Sequence, residues 1–334
     1  MKVLSLLLAP LCALLLMPGT SHAADPVVCS ASISGGLNFG SSIEPQIPGN
    51  SDVSSSLSYT CTNTTNTAYW VTVCFNIADG PLGVSGGRRQ MSGPGGNVGF
   101  QLYTDAARTL VWGAINSSNF PTPVRPANFQ ISKNASATAS IPIYGRLFGG
   151  QANATAGNYT TSFAYPNVQI TGSLQTGSSS GGSCGSAGTD AAGFASFPVS
   201  ASYVNSCTVT ATDLDFGTQN FTAVNVGPTG NGLVNIVCSK AAPYTIGLKP
   251  NSTNSTVGAG TMTGLTSGNT DKVPYQLYAN AGLTIVWGDT PGSNTIPGTG
   301  TGAVQPAVSV YGKVPSANFT PDSYQDTVTI NVRY

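Results

Sequence analysis

Apolar and polar residues alternate along several short segments of the chain, and clusters of Gly, Pro, Ser and Asn separate these segments. A period of two is typical of β-strands that bury one face. Just before the second half of the chain, the apolar residues at alternate positions are Ala195, Phe197, Val199, Ala201 and Tyr203. At the carboxyl end, the apolar residues at alternate positions are Val328, Ile330, Val332 and Tyr334. With 41 glycines and 22 prolines among 334 residues, this pattern predicts an all-β protein.

A long internal repeat divides the chain into two related halves. QLYTDAARTLVWG at residues 101–113 returns as QLYANAGLTIVWG at residues 276–288. The motif LNFG that ends at Gly40 likewise parallels LDFG that ends at Gly217. Two copies at this spacing indicate duplicated domains, so we expect two β-sandwiches in tandem at residues 24–172 and 207–334. The repeated Leu, Tyr, Val and Trp side chains are expected to pack in each core rather than to bind a ligand.

Between the two copies, residues 173–206 begin with a low-complexity Gly/Ser linker, whose composition is typical of flexible connections. The alternating segment at residues 194–204 follows and leads directly to Cys207. Only the five residues 24–28 stand before Cys29 once a leader is removed. The second copy therefore carries an extra predicted strand in front of its first cysteine.

The first residues are typical of a secretory signal. Met1 and Lys2 precede an apolar run at residues 3–17, and small residues follow up to Ala23, where we expect cleavage. The run is too short to be a convincing membrane span. Residues 1–23 therefore predict an exported protein, and their removal also removes His22, the only histidine.

The composition argues against several classes of function. Charged residues make up only 7% of the chain, which leaves no basic track for nucleic acid. Without histidine there is no Ser-His-Asp site and no histidine-bound metal, and Glu44 is the only glutamate. We expect no enzyme, no catalytic residue, no metal and no cofactor. The Gly-rich stretch at residues 86–99 lacks the Lys-Ser/Thr ending of a phosphate-binding loop, so we interpret it as a long sandwich loop.

Six cysteines remain after signal removal, and they suit an oxidising compartment. Six cysteines allow 15 connectivities, and the repeat selects one of them. The two first cysteines of each copy lie 32 and 31 positions apart, which predicts the pairs Cys29–Cys61 and Cys207–Cys238. Cys74 and Cys184 are then expected to pair and to anchor the linker to the first domain.

The ordered motifs Cys…L-x-F-G…Cys, QLY…T-x-VWG and VYG, followed by a Tyr-containing strand, resemble the spore coat U domain family. This is the subunit fold of archaic, Csu-type chaperone-usher pili, and the resemblance is tighter for the second half than for the first. It implies immunoglobulin-like, pilin-type sandwiches that lack one strand, so that an apolar groove must be filled from outside. A periplasmic pilus chaperone first lends a strand, and after passage through an outer-membrane usher the extension of a neighbouring pilin subunit replaces it.

The resemblance further implies that a two-domain member is a tip adhesin, exported through the periplasm to the cell surface. Residues 24–28 reach about 17 Å at most, too short for a donor strand, so we expect this subunit to be the outermost one. The segment 194–204 is expected to complete the first domain, while the second domain keeps an open groove. Its carboxyl-terminal strand would be the edge at which a chaperone or the next subunit pairs. An ordinary last strand of a closed sandwich is the alternative reading.

If the first domain binds a surface, the binding residues should lie in loops that differ from those of the second domain. The apolar candidates are Leu82, Val84, Ile115, Phe120, Val124, Phe129, Leu147 and Phe148. Several such loops at one pole would form an apolar patch suited to abiotic or host surfaces and to biofilm formation, although each ring could instead plug the end of the sandwich. Arg88, Arg89 and Arg125 would suit a charged or glycan ligand. A structural stalk pilin or a coat or secreted matrix protein without a ligand site is the alternative function.

Overall fold

The computed structural model describes residues 25–124, 126, 128–177, 182–185 and 193–334. The expected signal peptide and Arg125 lie outside the described residues. All regular secondary-structure elements of the described residues are β-strands, so the all-β prediction is confirmed for this part of the chain. No helix within these ranges is long and apolar enough to cross a bilayer.

Twelve strands, which we call domain 1, precede Cys207 in the described chain. They are β1 (Val27–Ile33), β2 (Leu37–Asn38), β3 (Ser51–Asn63), β4 (Tyr69–Ile77), β5 (Val84–Ser85), β6 (Arg88–Gly93), β7 (Gly96–Tyr103), β8 (Phe129–Ile131), β9 (Ala135–Leu147), β10 (Gly157–Phe163), β11 (Val168–Gln175) and β12 (Phe197–Tyr203).

Ten further strands form domain 2. They are β13 (Cys207–Ala211), β14 (Val224–Val226), β15 (Gly232–Cys238), β16 (Pro243–Pro250), β17 (Ala259–Gly264), β18 (Lys272–Tyr278), β19 (Ile296–Thr299), β20 (Val308–Ser316), β21 (Tyr324–Gln325) and β22 (Val328–Arg333).

The two domains repeat one topology. The larger sheet of domain 1 has the order β1-β3-β9-β7-β6-β10-β12-β2, and that of domain 2 has the order β13-β15-β20-β18-β17-β21. The smaller sheets, β11-β4-β8 and β19-β16-β22, also correspond. The larger sheet of domain 2 thus ends at β21, at the position where β10 of domain 1 continues to β12. The second sandwich lacks one strand, as the sequence predicts.

A separate core fills each sandwich, and a tryptophan from the repeated motif lies at its centre. Trp112 and Trp287 are both fully buried. Their indole Nε1 atoms donate to the carbonyls of Phe75 and Ile246 at 2.9 and 3.0 Å. The repeated Trp and Leu side chains therefore pack in the cores. The expectation is wrong for Val286, which is 36% exposed, and Tyr278 is only half-buried.

Three disulfides cross-link the described part of the chain, and they join the pairs expected from the repeat. Cys29–Cys61 and Cys207–Cys238 each tie the first strand of a domain to its neighbour. Cys74–Cys184 ties the segment after β11 to strand β4.

Two local expectations are wrong. The stretch at residues 86–99 is not a long loop, because β6 and β7 form a hairpin in which Gly93 lies opposite Gly96. The first domain does not end at residue 172, because β11 continues to Gln175 through its pairing with β4.

Candidate strand-acceptor groove and loop cluster

Strand β12 lies inside domain 1 and completes its larger sheet. It runs antiparallel to β10, with Phe163 opposite Phe197 and Gly157 opposite Tyr203. On its other side it runs parallel to β2, with Val199 beside Leu37. Its inward side chains, Phe197, Val199, Ala201 and Tyr203, are all buried. The segment that precedes Cys207 is therefore part of the core of the preceding domain.

Ala195 departs from the expected donor pattern. It is exposed and lies before the start of the strand, whereas Phe194, which the alternation leaves out, is buried against Phe75 with ring centroids 6.3 Å apart. The amide of Ala195 donates to the carbonyl of Ala31 at 2.8 Å. Two exposed residues, Ala195 and Ser196, therefore separate the buried Phe194 from the buried Phe197. The regular alternation of buried and exposed residues starts only at Phe197.

Pro198 lies within β12 opposite Ser162 of β10. The ladder with β2 includes only Val199 and Ser200 of this strand. The strand is thus paired on a single side at Pro198, where proline cannot donate a second ladder hydrogen bond.

The corresponding space in domain 2 is an open groove of about 670 Å³, which we call the acceptor groove. One wall is formed by residues 211–216 and the other by residues 324–328 and Ile330. Core residues of both sheets form the floor, including Val234, Leu248 and Leu277. The groove lies at the edge β21, where the ladder of domain 2 stops.

A comparison of matched positions shows what the missing strand leaves uncovered. The match follows the shared register, since Ile77 and Leu248 both donate from the backbone to the glycine of the VWG motif. Five residues that share the core of domain 1 with β12 are buried, and their counterparts in domain 2 are only half-buried. The pairs are Leu37 and Leu214, Phe39 and Phe216, Met91 and Met262, Tyr159 and Tyr324, and Val168 and Ile330.

The carboxyl-terminal strand β22 forms part of this edge. It pairs with β16 and occupies the outer position of the smaller sheet. Val328 and Ile330 line the acceptor groove, and Val332 is half-buried opposite Ile246. Tyr334 lies beyond the strand and is 57% exposed, so this residue does not belong to the predicted apolar edge; the ladder with β16 ends one residue earlier, at Arg333.

An ion pair fixes β22 to the loop after the VWG motif. Arg333 donates through Nη1 to Oδ1 of Asp289 at 2.7 Å and through Nη2 to Oδ2 at 3.0 Å. Asn331 donates to the same carboxylate at 2.9 Å. Hydrogen bonds from the Arg333 guanidinium, more than any other contact, lower the pKa of Asp289.

Polar groups are built into the wall of the acceptor groove. The hydroxyl of Tyr275 donates to Oδ2 of Asp326 at 2.7 Å, and Ser252 donates to the same oxygen at 2.5 Å. Burial raises the pKa of Tyr275, and the bond to Asp326 raises it further. The Asp326 carboxylate is therefore held in place by neutral donors and not by a cation.

Some of the predicted surface residues do come together in domain 1, at one end of its smaller sheet. Loops 78–83, 113–120 and 164–167, which we call the loop cluster, meet there. Asp79 accepts hydrogen bonds from Ser117 at 2.5 Å and from Asn119 at 2.6 Å, and Ala78 donates to the carbonyl of Asn167 at 2.8 Å. Leu82 and Ile115 are 42% and 43% exposed within it.

Tyr165 is an exposed aromatic residue of the loop cluster that the sequence did not single out. It is 59% exposed and follows Phe163, whose ring lies beside Gly80 of the first loop. The signal available in the sequence was the turn AYPN between two alternating segments.

The other candidates are placed differently. Val84, Phe120, Val124 and Phe129 are half-buried, and Val124 and Phe129 pack against the core. Phe148 is half-buried under Arg88, whose guanidinium lies 3.9 Å from the ring centroid. Leu147 is 1% exposed and opposite Phe100, so its proposed surface role is wrong. It is an inward residue of β9 rather than a loop residue.

Arg89 is buried beneath the loop cluster and is not available to a glycan. Its Nε donates to the carbonyl of Ala78 at 2.8 Å, and Nη2 donates to those of Ile77 and Trp112 at 2.7 Å each. Gln101 accepts from Nη1, and the ring of Phe120 covers the guanidinium at 4.6 Å. Burial lowers the pKa of Arg89 to about 9. The matched position in domain 2 is Gly260, opposite Tyr275 as Arg89 is opposite Phe100.

Among the residues that the structure describes, no group of His, Cys, Asp and Glu side chains is arranged to hold a metal ion.

Comparisons with known proteins give one family match and several similar solved structures. A family model described as Spore Coat Protein U domain matches residues 20–165 and again 194–331. Among solved structures, the chain resembles the CsuC-CsuE chaperone-tip adhesion subunit pre-assembly complex from archaic chaperone-usher Csu pili of Acinetobacter baumannii. The identity is 16%, the TM-score 0.49, and the match covers 92% of this chain and 100% of that chain.

A second similar structure is the CupB6 tip adhesin from Pseudomonas aeruginosa. It is 13% identical, with a TM-score of 0.37, and the match covers 91% of this chain and 94% of that chain. No match was found among curated proteins.

Proposed function

The chain belongs to the Spore Coat Protein U domain family, and on this premise we propose that it is the tip adhesin subunit of an archaic chaperone-usher pilus. Domain 2 joins the fibre by accepting a strand, and domain 1 attaches to surfaces. One observation carries the proposal: the same groove is filled by the chain's own β12 in domain 1 and is open in domain 2.

An open groove of this kind favours strand addition for two reasons. The half-buried residues Leu214, Phe216 and Met262 would gain about 25 cal/mol for each Å² of apolar surface removed from water. The free edge of β21 would also gain main-chain hydrogen bonds. In domain 1, β12 provides both contributions at once, with seven ladder positions against β10.

The partners in this proposal follow from the need to protect the groove. A periplasmic pilus chaperone covers it after export, an outer-membrane usher receives the complex, and a neighbouring pilin subunit supplies the final strand. The protein then resides at the cell surface, at the pilus tip. The proposal includes no catalytic step.

The adhesive surface in this proposal is the loop cluster of domain 1. Leu82, Ile115 and Tyr165 are exposed, one in each of its three loops, and Phe120 is half-buried in the second loop. Asp79 joins the first two loops through its hydrogen bonds to Ser117 and Asn119. Such side chains attach by burying apolar area rather than by forming specific hydrogen bonds to a sugar. This mode suits hydrophobic abiotic or host surfaces and biofilm formation.

The proposal is tested by gene deletion combined with immunogold labelling. A tip adhesin should be labelled once per fibre end, and its deletion should abolish attachment while fibres still assemble. Label along the whole fibre would instead identify a stalk pilin. Label that is absent from fibres but present in the matrix would identify a coat or matrix protein.

A further inference from the structure

The acceptor groove of domain 2 differs from its filled counterpart in charge. Two positions that are neutral in domain 1 are aspartate in domain 2: Asn38 corresponds to Asp215, and Thr161 corresponds to Asp326. A third aspartate, Asp322, precedes this wall in the sequence and corresponds to Gly157. These matches follow from the aligned tyrosines Tyr159 and Tyr324 and from the shared L-x-F-G motif.

The match between Asn38 and Asp215 is close in local geometry. The Asn38 Oδ1 accepts a hydrogen bond from the amide of Gly40 at 2.9 Å. The Asp215 Oδ1 accepts one from the amide of Gly217 at 2.8 Å. The two side chains therefore stabilise the same turn. Aspartate in place of asparagine adds a negative charge and leaves the turn unchanged.

The lining of the acceptor groove contains three carboxylates and no cation. Asp213, Asp215 and Asp326 all line it, whereas no lysine or arginine among the described residues does. Arg333 of β22, which lies outside this lining, is already paired with Asp289. A strand inserted in the register of β12 would cover Asp326, since its counterpart Thr161 is buried, and would lie beside Asp215, whose counterpart Asn38 stays exposed next to β12. An uncharged strand would leave the covered Asp326 without a compensating cation, which is unfavourable, whereas a cation beside Asp215 would be attracted to its carboxylate.

The register of β12 shows which positions of an incoming strand meet these charges. Ser200 lies beside Asn38 in the parallel ladder, and Val199 lies opposite Thr161 in the antiparallel one. A strand bound to domain 2 in the same register would place its Ser200-equivalent residue, which points out of the core, beside Asp215.

We infer that the strand accepted by domain 2 is cationic: an extended segment of a neighbouring subunit with apolar residues at alternate positions and Lys or Arg at the intervening position beside Asp215. The inference rests on the proposed strand-acceptor function and deepens it, because it gives the groove a basis for choosing its occupant. An uncharged strand such as β12 fits the neutral groove of domain 1 and is disfavoured in domain 2.

The test uses the full chain and labelled synthetic peptides that copy residues 194–204. One peptide carries Ser200→Lys and a matched one carries Ser200→Glu. Fluorescence anisotropy at low and high salt measures their affinities for the wild-type protein and for the variant Asp215→Asn, which restores the side chain found at residue 38. We expect the lysine peptide to bind about two- to fivefold more tightly, with the difference reduced by salt and in the variant.

The possible failures are distinguishable. Equal affinities of both peptides, unchanged by salt or by Asp215→Asn, would overturn the charge inference and leave the strand-acceptor function standing. Binding of neither peptide at any salt concentration would overturn both. Tighter binding of the glutamate peptide would also overturn the inference.

Discussion

The rings of Phe163 and Phe197 are stacked, with centroids 5.2 Å apart and an angle of 9° between their planes. Phe163 belongs to β10, and Phe197 is the first residue of β12. The Phe100 ring meets Phe163 edge-on at 6.3 Å. An inserted strand and the host sandwich thus share one aromatic core.

Replacing Phe197 by Ala should destabilise domain 1. The side chain is 1% exposed, and its removal leaves a cavity that costs about 3–5 kcal/mol. Chemical unfolding of the full chain measures the change. The exposed Ala195 provides the control, since Ala195→Ser should change the stability by less than about 0.5 kcal/mol. A loss of equal size in both variants would contradict the placement of β12.

Removal of the Cys74–Cys184 disulfide by the double substitution Cys74→Ala and Cys184→Ala should lower the stability of domain 1. The bond closes a loop with a sequence separation of 110 residues, so its loss increases the entropy of the unfolded chain. We expect a decrease of about 2–4 kcal/mol. Calorimetry should show the shift in the transition of domain 1, while that of domain 2 stays in place. An unchanged domain 1 transition would be inconsistent with this account.

Arg89→Met should destabilise domain 1 and loosen the loop cluster. It removes the donors to the carbonyls of Ile77, Ala78 and Trp112, and each buried carbonyl left without a partner costs about 1–3 kcal/mol. Hydrogen exchange should be faster at the amides of the loop cluster. Arg88→Met is the matched control, because Arg88 is exposed on the opposite face of the same strand. Equal effects of the two substitutions would argue against a special role for Arg89.

The triple variant Leu82→Ser, Ile115→Ser and Tyr165→Ser should reduce attachment of piliated cells to a hydrophobic surface and leave secretion and fibre assembly unchanged. These side chains are exposed, so the stability of domain 1 should change little. Val28 and Ile47 are also exposed and belong to other parts of the domain. A Val28→Ser and Ile47→Ser variant that reduced attachment as strongly would refute a localised binding surface.

The Asp289–Arg333 pair predicts a pH dependence for domain 2. Because the folded state lowers the pKa of Asp289, the pair contributes stability above the ordinary carboxyl pKa of about 4. This contribution is lost as the pH falls through the lowered value. The difference in melting temperature between wild type and Asp289→Asn should therefore shrink below about pH 4, and Arg333→Met should show the same trend. A constant difference across the titration would count against the ion pair.

The sequence predicts the two-domain β architecture well because the same motifs occur in the same order in both halves of the chain. The matched motifs align Trp112 with Trp287. In the same alignment, two cysteines lie 32 positions apart in the first copy and 31 in the second, and these are the pairs that form disulfides. The alternation that ends at Tyr203 predicts β12 for a different reason: one face of that strand is buried, so apolar residues recur at every second position.

What the sequence does not predict depends on contacts between distant segments. Whether Leu147 or Phe148 faces outwards depends on the register of β9 against β7, and a shift by one residue exchanges the two faces. The burial of Arg89 requires carbonyls from three other segments to converge on it, and no local pattern encodes that convergence. The prediction for Ala195 is wrong because Phe194 is buried in its place, where the chain meets Ala31 of β1 and the regular alternation has not yet begun.

Strand β12 is covalently part of the domain that it completes, and this has a consequence for assembly. Its insertion is a first-order event whose extent does not depend on the concentration of the protein, whereas occupation of the groove in domain 2 depends on how much partner is present. In the proposed assembly, the strand of domain 1 therefore stays with its sandwich at any dilution, whereas the strand accepted by domain 2 can dissociate.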